Sequence, residues 1–382
     1  MRIRWHTSTV ETAGQSTWPS LAFSPSGQPA IAYYSSLNSA LRFATLNADG
    51  SWAISTVDTV GSDCQPSLAF RSGRPAISYR VGESVGWGAL KFALFTGGSS
   101  PWSISPVATN GNASSLAFDS AQRAGISYYD PISKTLKFAR EGSSGPSTWV
   151  TETVDPQQYA GVFNALAFSS GDRPAIVYHT QFNNDIKFAR FFGTGWNTNV
   201  VRDGLNPNWE KGLGWCSLAI SIFGTPSISF TGPLKNNIRH AHDTSSSGWD
   251  VSTIQTGITS SLAYNSLSSR PWELGIAYTT GHIVLAYGRS YMLRHRLVDE
   301  AGKDQLGNFV GPFELPSLAF SPSGHPGISY YDTANSTIKY AAGTIVRVPL
   351  DALVDVLDSL MQGLFQATRR VRFSLGRQRS SS

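Results

Sequence analysis

Charge is scarce in this 382-residue chain, with Asp, Glu, Lys and Arg together making up only 14%. Such a composition lacks the Glu and Lys that long exposed helices use, whereas 36 glycines and 12% aromatics suit many short strands joined by tight turns. Cysteine is nearly absent: Cys64 and Cys216 have no His or Cys partner at metal-ligand spacing, so two unpaired thiols are expected, with no metal and no cofactor. No apolar run approaches the ~18 residues of a membrane span, and "MRIRWHTSTVETAG" has no apolar leader core, so neither a spanning helix nor a secretory leader is expected in the chain as given. HExxH, GxSxG, Walker and CxxC patterns are all missing, which leaves no enzyme signature. The net charge of +5 is concentrated at one end, where five arginines fall in the last fourteen residues. The remainder is close to neutral, and no nucleic-acid partner is expected.

What the chain does have is repetition. "SLAF" or a variant recurs at Leu21, Leu68, Leu116, Leu166 ("ALAF"), Leu218 ("SLAI"), Leu262 ("SLAY") and Leu318, at spacings of 47, 48, 50, 52, 44 and 56 residues. A period of this length points to propellers or arrays. Each copy carries four pieces: "SLAF" and a turn such as Ser24-Pro25-Ser26-Gly27, then "PAISYY", then "LKFA", then a Trp followed five residues later by Val or Ile. Pro and Gly suit the turn, and β-branched and aromatic residues suit the strands. Four strands per copy make one propeller blade. The seventh copy stops after its third piece at Ala341, while Trp5 and Val10 stand at the start as a fourth piece with no copy before them. Residues 3–10 are therefore expected to complete the seventh blade and close the ring, leaving no open sheet edge at the seam. The expected fold is all-β, a seven-bladed β-propeller over residues 1–343, followed by a C-terminal segment over 344–382.

On these motifs the sequence resembles bacterial propeller repeats of the "PSLAF-SG-PAISYYD-LKFA" kind, over about residues 3–341. That resemblance implies the fold and is nearly silent on function, because propellers host lectins, hydrolases, lyases and scaffolds alike. "NADGSW" (Asn47 to Trp52) and "GPSTW" (Gly145 to Trp149) only echo the Asp boxes of sialidase-like propellers and are read as turns.

If "SLAF" is innermost, the fourth-to-first and second-to-third loops share one face around the central channel, and that face is the default site. It would carry Trp18, Asp63, Gln65, Asp130, Phe163, His179, Trp209, Glu210, Lys211, Trp215, His282 and Asp332. The strongest candidate is "VRDGLNPNWEKGLGWCS", residues 201–217, which sets two tryptophans beside Glu210 and Lys211, as in an aromatic platform for a sugar or a partner. The tentative binding set is Trp18, Asp63, Gln65, Trp209, Glu210, Lys211, Trp215 and His282, with no catalytic residue. His240 and His242 are read as a surface pair, the Asp residues after the second and fourth strands as turn formers, and one ring of each Tyr-Tyr pair as packed between blades.

Beyond Ala341 the pattern becomes helical. Leu350, Leu353, Val354, Leu357, Leu360, Met361, Leu364 and Phe365 form an apolar stripe, and Arg369, Arg370 and Arg372 follow it. A closed propeller has no need of such a helix, so a protein partner or homo-oligomer is expected to dock on it, with packing on its own propeller second and a membrane surface last because the first half is acidic. The leading expectation is a non-catalytic interaction or scaffold protein docking through this helix. A glycan-binding, lectin-like propeller is the first alternative and a propeller hydrolase or lyase the second. The compartment stays open; an extracellular, surface or virion-like assembly is compatible with the chain.

Overall fold

The computed structural model describes residues 2–15, 18–84, 87–202, 214–221, 223–232, 237–244, 248–256, 265–270, 273–279, 283–289, 292–297 and 313–346. Contacts divide the chain into His6–Ala342, which carries the architecture below, and a second unit of Met1–Trp5 with Gly343–Ser382, described only at residues 2–5 and 343–346 as strand. The apolar helix expected after Pro349 lies outside the described residues.

The described strands form seven four-stranded antiparallel sheets, and in six of them the strands pair in chain order. The seventh is completed by the first strand of the chain: Arg2–Thr12 lies outermost, followed by Thr337–Val346, Pro326–Asp332 and Phe313–Phe320. Innermost strands contact one another in the order of blades 1 to 7, and blade 7 returns to blade 1. The ring is a seven-bladed propeller closed by its N-terminal strand.

Each word of the repeat has a place in the seams between blades. The leucine of "SLAF" pairs across its sheet with an isoleucine of the second strand, as Leu21 does with Ile31 and Leu116 with Ile126. The serine before it serves the next blade. Leu68 N–H donates to Ser20 Oγ at 2.9 Å, Leu116 to Ser67 and Leu166 to Ser115 at 3.0 Å, and Leu21 to Ser317 at 2.9 Å. A buried strand-edge N–H thus finds an acceptor in the neighbouring sheet, a need that no ladder bond meets. Blade 4 reads "ALAF", and at the blade 4–5 seam Ala165 offers no hydroxyl.

The phenylalanine of "SLAF" lies on a small residue of the preceding blade. At Gly327 an added Cβ would sit 2.8 Å from Phe23 Cζ, and at Gly125 2.8 Å from Phe168 Cζ, so the residue before the second-strand isoleucine is Ala, Gly or Ser. The "LKFA" phenylalanine meets the fourth-strand Trp of the next blade edge to face: Phe43 with Trp102, Phe92 with Trp149, Phe138 with Trp196, and Phe188 with Trp249, at centroid distances of 5.2 to 5.4 Å. Tyr340 and Trp52 repeat the pair at the closing seam. Finally, the residue after the fourth-strand Val accepts from the next blade's Tyr and Lys or Arg. Asp58 takes Tyr79 at 2.8 Å and Lys91 at 3.0 Å, Asp155 takes Tyr178 at 2.7 Å and Lys187 at 3.3 Å, and Glu11 takes Tyr33 at 2.6 Å and Arg42 at 3.1 Å. Asp58 is therefore a bridge between blades rather than a turn former, while Asp155 does both, also accepting Gln157 N–H.

Two readings of the sequence are corrected by these rules. The innermost strand of blade 6 is not "SLAY" but "NSLSSR", Asn265–Arg270. Leu267 pairs with Ile276, its N–H donates to Ser217 Oγ at 3.0 Å, and Ser266 Oγ accepts Leu318 N–H at 3.0 Å. Leu267 lies 49 residues after Leu218 and 51 before Leu318, so the period is more even than the "SLAY" alignment made it. "SLAY" itself lies outside the described residues. Secondly, His240 is not a surface residue: it is fully buried in the "LKFA" phenylalanine position, stacked on His242 at 5.7 Å. In the next blade the backbone of Leu293 pairs with Gly288 at the register position where Trp52 pairs with Leu46.

Burial, followed by the neighbouring His242, holds the His240 imidazole down at about 4, with Asp250 acting weakly the other way. The folded state therefore favours neutral His240, a contribution complete above the unfolded pKa near 6.5 and lost as pH falls toward 4, on the order of 3 kcal/mol. His240→Phe should raise the melting temperature more at pH 4.5 than at pH 7.5; an equal change at both would sink this account. At the serine clasps, Ser67→Ala should cost roughly 1–3 kcal/mol by stranding the Leu116 N–H, and Ala165→Ser should gain about 1 kcal/mol in urea unfolding.

Candidate functional site

The loops that enter the innermost strands gather at one mouth of the channel, and the residue three before the "SLAF" leucine is the one each blade contributes there. In order these are Trp18, Gln65, Ala113, Phe163, Trp215 and Leu315 for blades 1 to 5 and 7. Four of them sit in the left-handed backbone region, with φ of 63° at Trp18, 42° at Gln65, 48° at Ala113 and 54° at Leu315. A non-glycine residue held there costs about 1 kcal/mol or more, so the surrounding bonds must hold it. The kink belongs to irregular pairing at this end, as at Asn112/Ser115 and Glu314/Ser317.

Three aromatics from this set form one cluster. The Trp18 and Trp215 rings are 4.5 Å apart, and Trp215 and Phe163 are 4.0 Å apart. Blades 1 and 5 are not neighbours in the ring, so the Trp18–Trp215 contact crosses the channel mouth. Beside the cluster opens a cavity of about 520 Å³ lined from blades 1 to 5, within the size range of small-ligand pockets. Its polar lining comes from Gln65, Asn112, Ser114, Asn164, Gln181 and Tyr129. No Asp, Glu, His, Lys or Arg is among the described residues that line it.

The amides are fixed by the blades around them. Gln65 Oε1 accepts Ala113 N–H at 3.0 Å, which leaves its Nε2 as a donor. Asn164 Nδ2 donates to the carbonyls of Ala113 at 2.6 Å and Gly161 at 3.0 Å, and Ser114 Oγ is bonded to Ser78 Oγ at 2.9 Å. Burial, helped by Tyr159 and Asp130, pushes the Tyr129 phenol upward and keeps it a donor. Cys216 donates from Sγ to the Phe163 carbonyl at 3.4 Å, and burial pushes its thiol well up, so it is a wall rather than a nucleophile.

Of the residues expected at the site, Trp18, Gln65 and Trp215 line the cavity, as does Phe163. Asp63 stands behind them, accepting the Trp18 indole N–H at 2.8 Å. Trp209, Glu210, Lys211 and His282 lie outside the described residues, as do Leu350 to Phe365 and Arg369, Arg370 and Arg372. His179 is buried behind Phe163, 6.5 Å between ring centroids, with Nε2 on Asn184 Oδ1 at 3.1 Å and burial holding its pKa near 4. Asp130 and Asp332 cap second-to-third loops, bonding Ile132 N–H at 2.9 Å and Asn335 N–H at 3.2 Å. Asn112, Ser114, Tyr129, Asn164 and Gln181 were not placed at the site from sequence, where Tyr129 was read only as one ring of a Tyr-Tyr pair. Alignment on the leucine would have exposed Ser114 and Asn164, which stand two residues before it.

The blade 4–5 seam behind the cavity departs from the common pattern. Arg202 stands where Asp58 and Asp155 do, Phe230 replaces the second-strand tyrosine and Arg239 the third-strand lysine, in addition to Ala165 at the missing clasp.

Solved structures share this fold. A triple arginine-to-alanine mutant of AofleA from Arthrobotrys oligospora aligns with a TM-score of 0.52 at 12% identity, over 78% of this chain and 90% of that one. The polysaccharide lyase Uly1 aligns at 0.57 and 8% identity over 86% and 90%. The SapL1 lectin, in complex with alpha methyl fucoside, aligns at 0.53 and 13% over 76% and 98%. The likeness is one of fold. No protein-family model matches the chain, and no curated protein matches it.

Proposed function

We propose that this chain is a recognition propeller whose channel-mouth cavity binds one uncharged saccharide ring without transforming it. The observation that carries the reading is the pairing, in one cavity, of the Trp18–Trp215–Phe163 cluster with the amides of Gln65, Asn112, Asn164 and Gln181. A pyranose has an apolar face of C–H groups and a rim of hydroxyls. Indole and phenyl faces suit the first, and the Gln65 Nε2 donor with the amides of Asn112 and Gln181 suits the second, while Asn164 is held by the wall itself through Ala113, Gly161 and Ser127. A carboxylated or sulfated sugar would meet no cation among the described lining residues, so a neutral ring fits better. The groups present bind and orient; hydrolysis of a glycosidic bond would call for two carboxyl groups flanking the ligand. Two of the fold neighbours, a polysaccharide lyase and a lectin bound to a methyl fucoside, act on or bind carbohydrate by their own descriptions, which is compatible with the reading and does not carry it.

The test is calorimetric titration of the full chain with the neutral methyl glycosides of fucose, galactose, mannose and N-acetylglucosamine. At least one should bind with a stoichiometry of one, and Trp215→Ala and Gln181→Ala should each weaken it by about 10-fold or more. Binding that ignores both substitutions, or no binding to any of the four, removes the proposal. Release of methanol or free sugar during the titration would instead move the chain to the hydrolases.

A further inference from the structure

Asp63 reaches the cavity wall at two points without lining it. Its Oδ2 accepts the Trp18 indole N–H at 2.8 Å, and its Oδ1 accepts the Gln65 backbone N–H at 3.2 Å. Trp18 belongs to the lead-in of blade 1, Asp63 and Gln65 to that of blade 2, so one carboxylate ties two blades together at the mouth. Both donors, Trp18 and Gln65, hold left-handed backbone, and both line the cavity. The Asp63 main chain is itself fixed, because its carbonyl accepts from Arg80 Nη2, and Arg80 is buried.

The consequence is directional. An indole has one donor, and a carboxylate acceptor on it sets both the tilt of the ring and the side from which it is held. Held from the blade 2 side, the Trp18 ring crosses to Trp215 of blade 5 at 4.5 Å with 39° between the planes. We infer that Asp63 is a positioning residue of the channel-mouth cavity: it holds Trp18 against Trp215 and so sets the joint aromatic face on which a single sugar ring stacks. Stacking of a sugar there rests on the saccharide reading; the positioning of Trp18 does not. A purely structural role would have Asp63 cap its own turn through Gln65, leaving the indole pair unchanged when the carboxylate is removed.

Two indoles this close and not parallel couple their ultraviolet transitions and give an exciton couplet in circular dichroism. Trp18→Phe and Trp215→Phe first assign that couplet by abolishing it. Asp63→Ala should then reduce it to the Trp18→Phe level. Asp63→Asn, which keeps shape and one acceptor for two donors, should reduce it by about half or more while the sheet signal and melting temperature stay near wild type. A full wild-type couplet in both Asp63 variants overturns the inference. In the methyl glycoside titrations, Asp63→Asn and Trp18→Ala should each weaken binding about 10-fold, and the double variant no more than Trp18→Ala alone. Additive losses would show that Asp63 acts by another route. Should no glycoside bind, the couplet still decides the role of Asp63, and only the saccharide reading falls.

Discussion

A four-stranded sheet built from "SLAF", "PAISYY", "LKFA" and the Trp strand is apolar on both faces, so no blade is stable unless a sheet of its own kind covers each side. Everything else follows from that need for two neighbours. The phenylalanine of one blade lies on the glycine or alanine of the blade before it, the "LKFA" ring meets the next blade's tryptophan, and the serine hydroxyl accepts the next blade's leucine N–H. Each contact joins a blade to its neighbour around the ring, and a linear array would leave an uncovered face at each end. The N-terminal strand removes that problem by supplying the outermost strand of the last sheet, so that Glu11 bridges to Tyr33 and Arg42 much as Asp58 does to Tyr79 and Lys91.

The seam rules also explain where the molecule is free to differ. Positions facing a neighbour sheet are held by packing, but the residue three before each leucine projects at the channel mouth and answers to no such rule. Trp18, Gln65, Ala113, Phe163, Trp215 and Leu315 therefore differ from blade to blade, while the leucine after them does not. The cavity forms in the sector where aromatic and amide side chains fall at these places, backed by a blade 4–5 seam that has lost its serine clasp and its carboxylate bridge. Among the described residues this cavity breaks the repeat, because its lining differs from blade to blade.

Blade number, strand order and closure were legible in the sequence because repeated residues report repeated environments. A tryptophan five residues before a valine marks an outer strand wherever it stands, including at the very start of the chain. Where a copy had drifted, the same reasoning misled. "SLAY" has the right letters, yet "NSLSSR" supplies the serine that accepts Leu318 N–H and the leucine that faces Ile276. His240 looked like half of a surface pair because two polar residues at spacing two share a strand face. That face is covered by the next blade, a fact visible only by recognising that His240 occupies the place of Phe43 and Phe138.

By itself the sequence determined the periodicity, the β class and the closure by the first strand, since all of these depend on local spacing and on the repeat count. Only the tertiary structure decided which side chains meet. Trp18 and Trp215 stand far apart in the chain and come from blades that are not neighbours, and no local pattern pairs them. Their contact exists because a closed ring brings the first and fifth blades' lead-ins together, and an aspartate of the second blade accepts the indole N–H of the first.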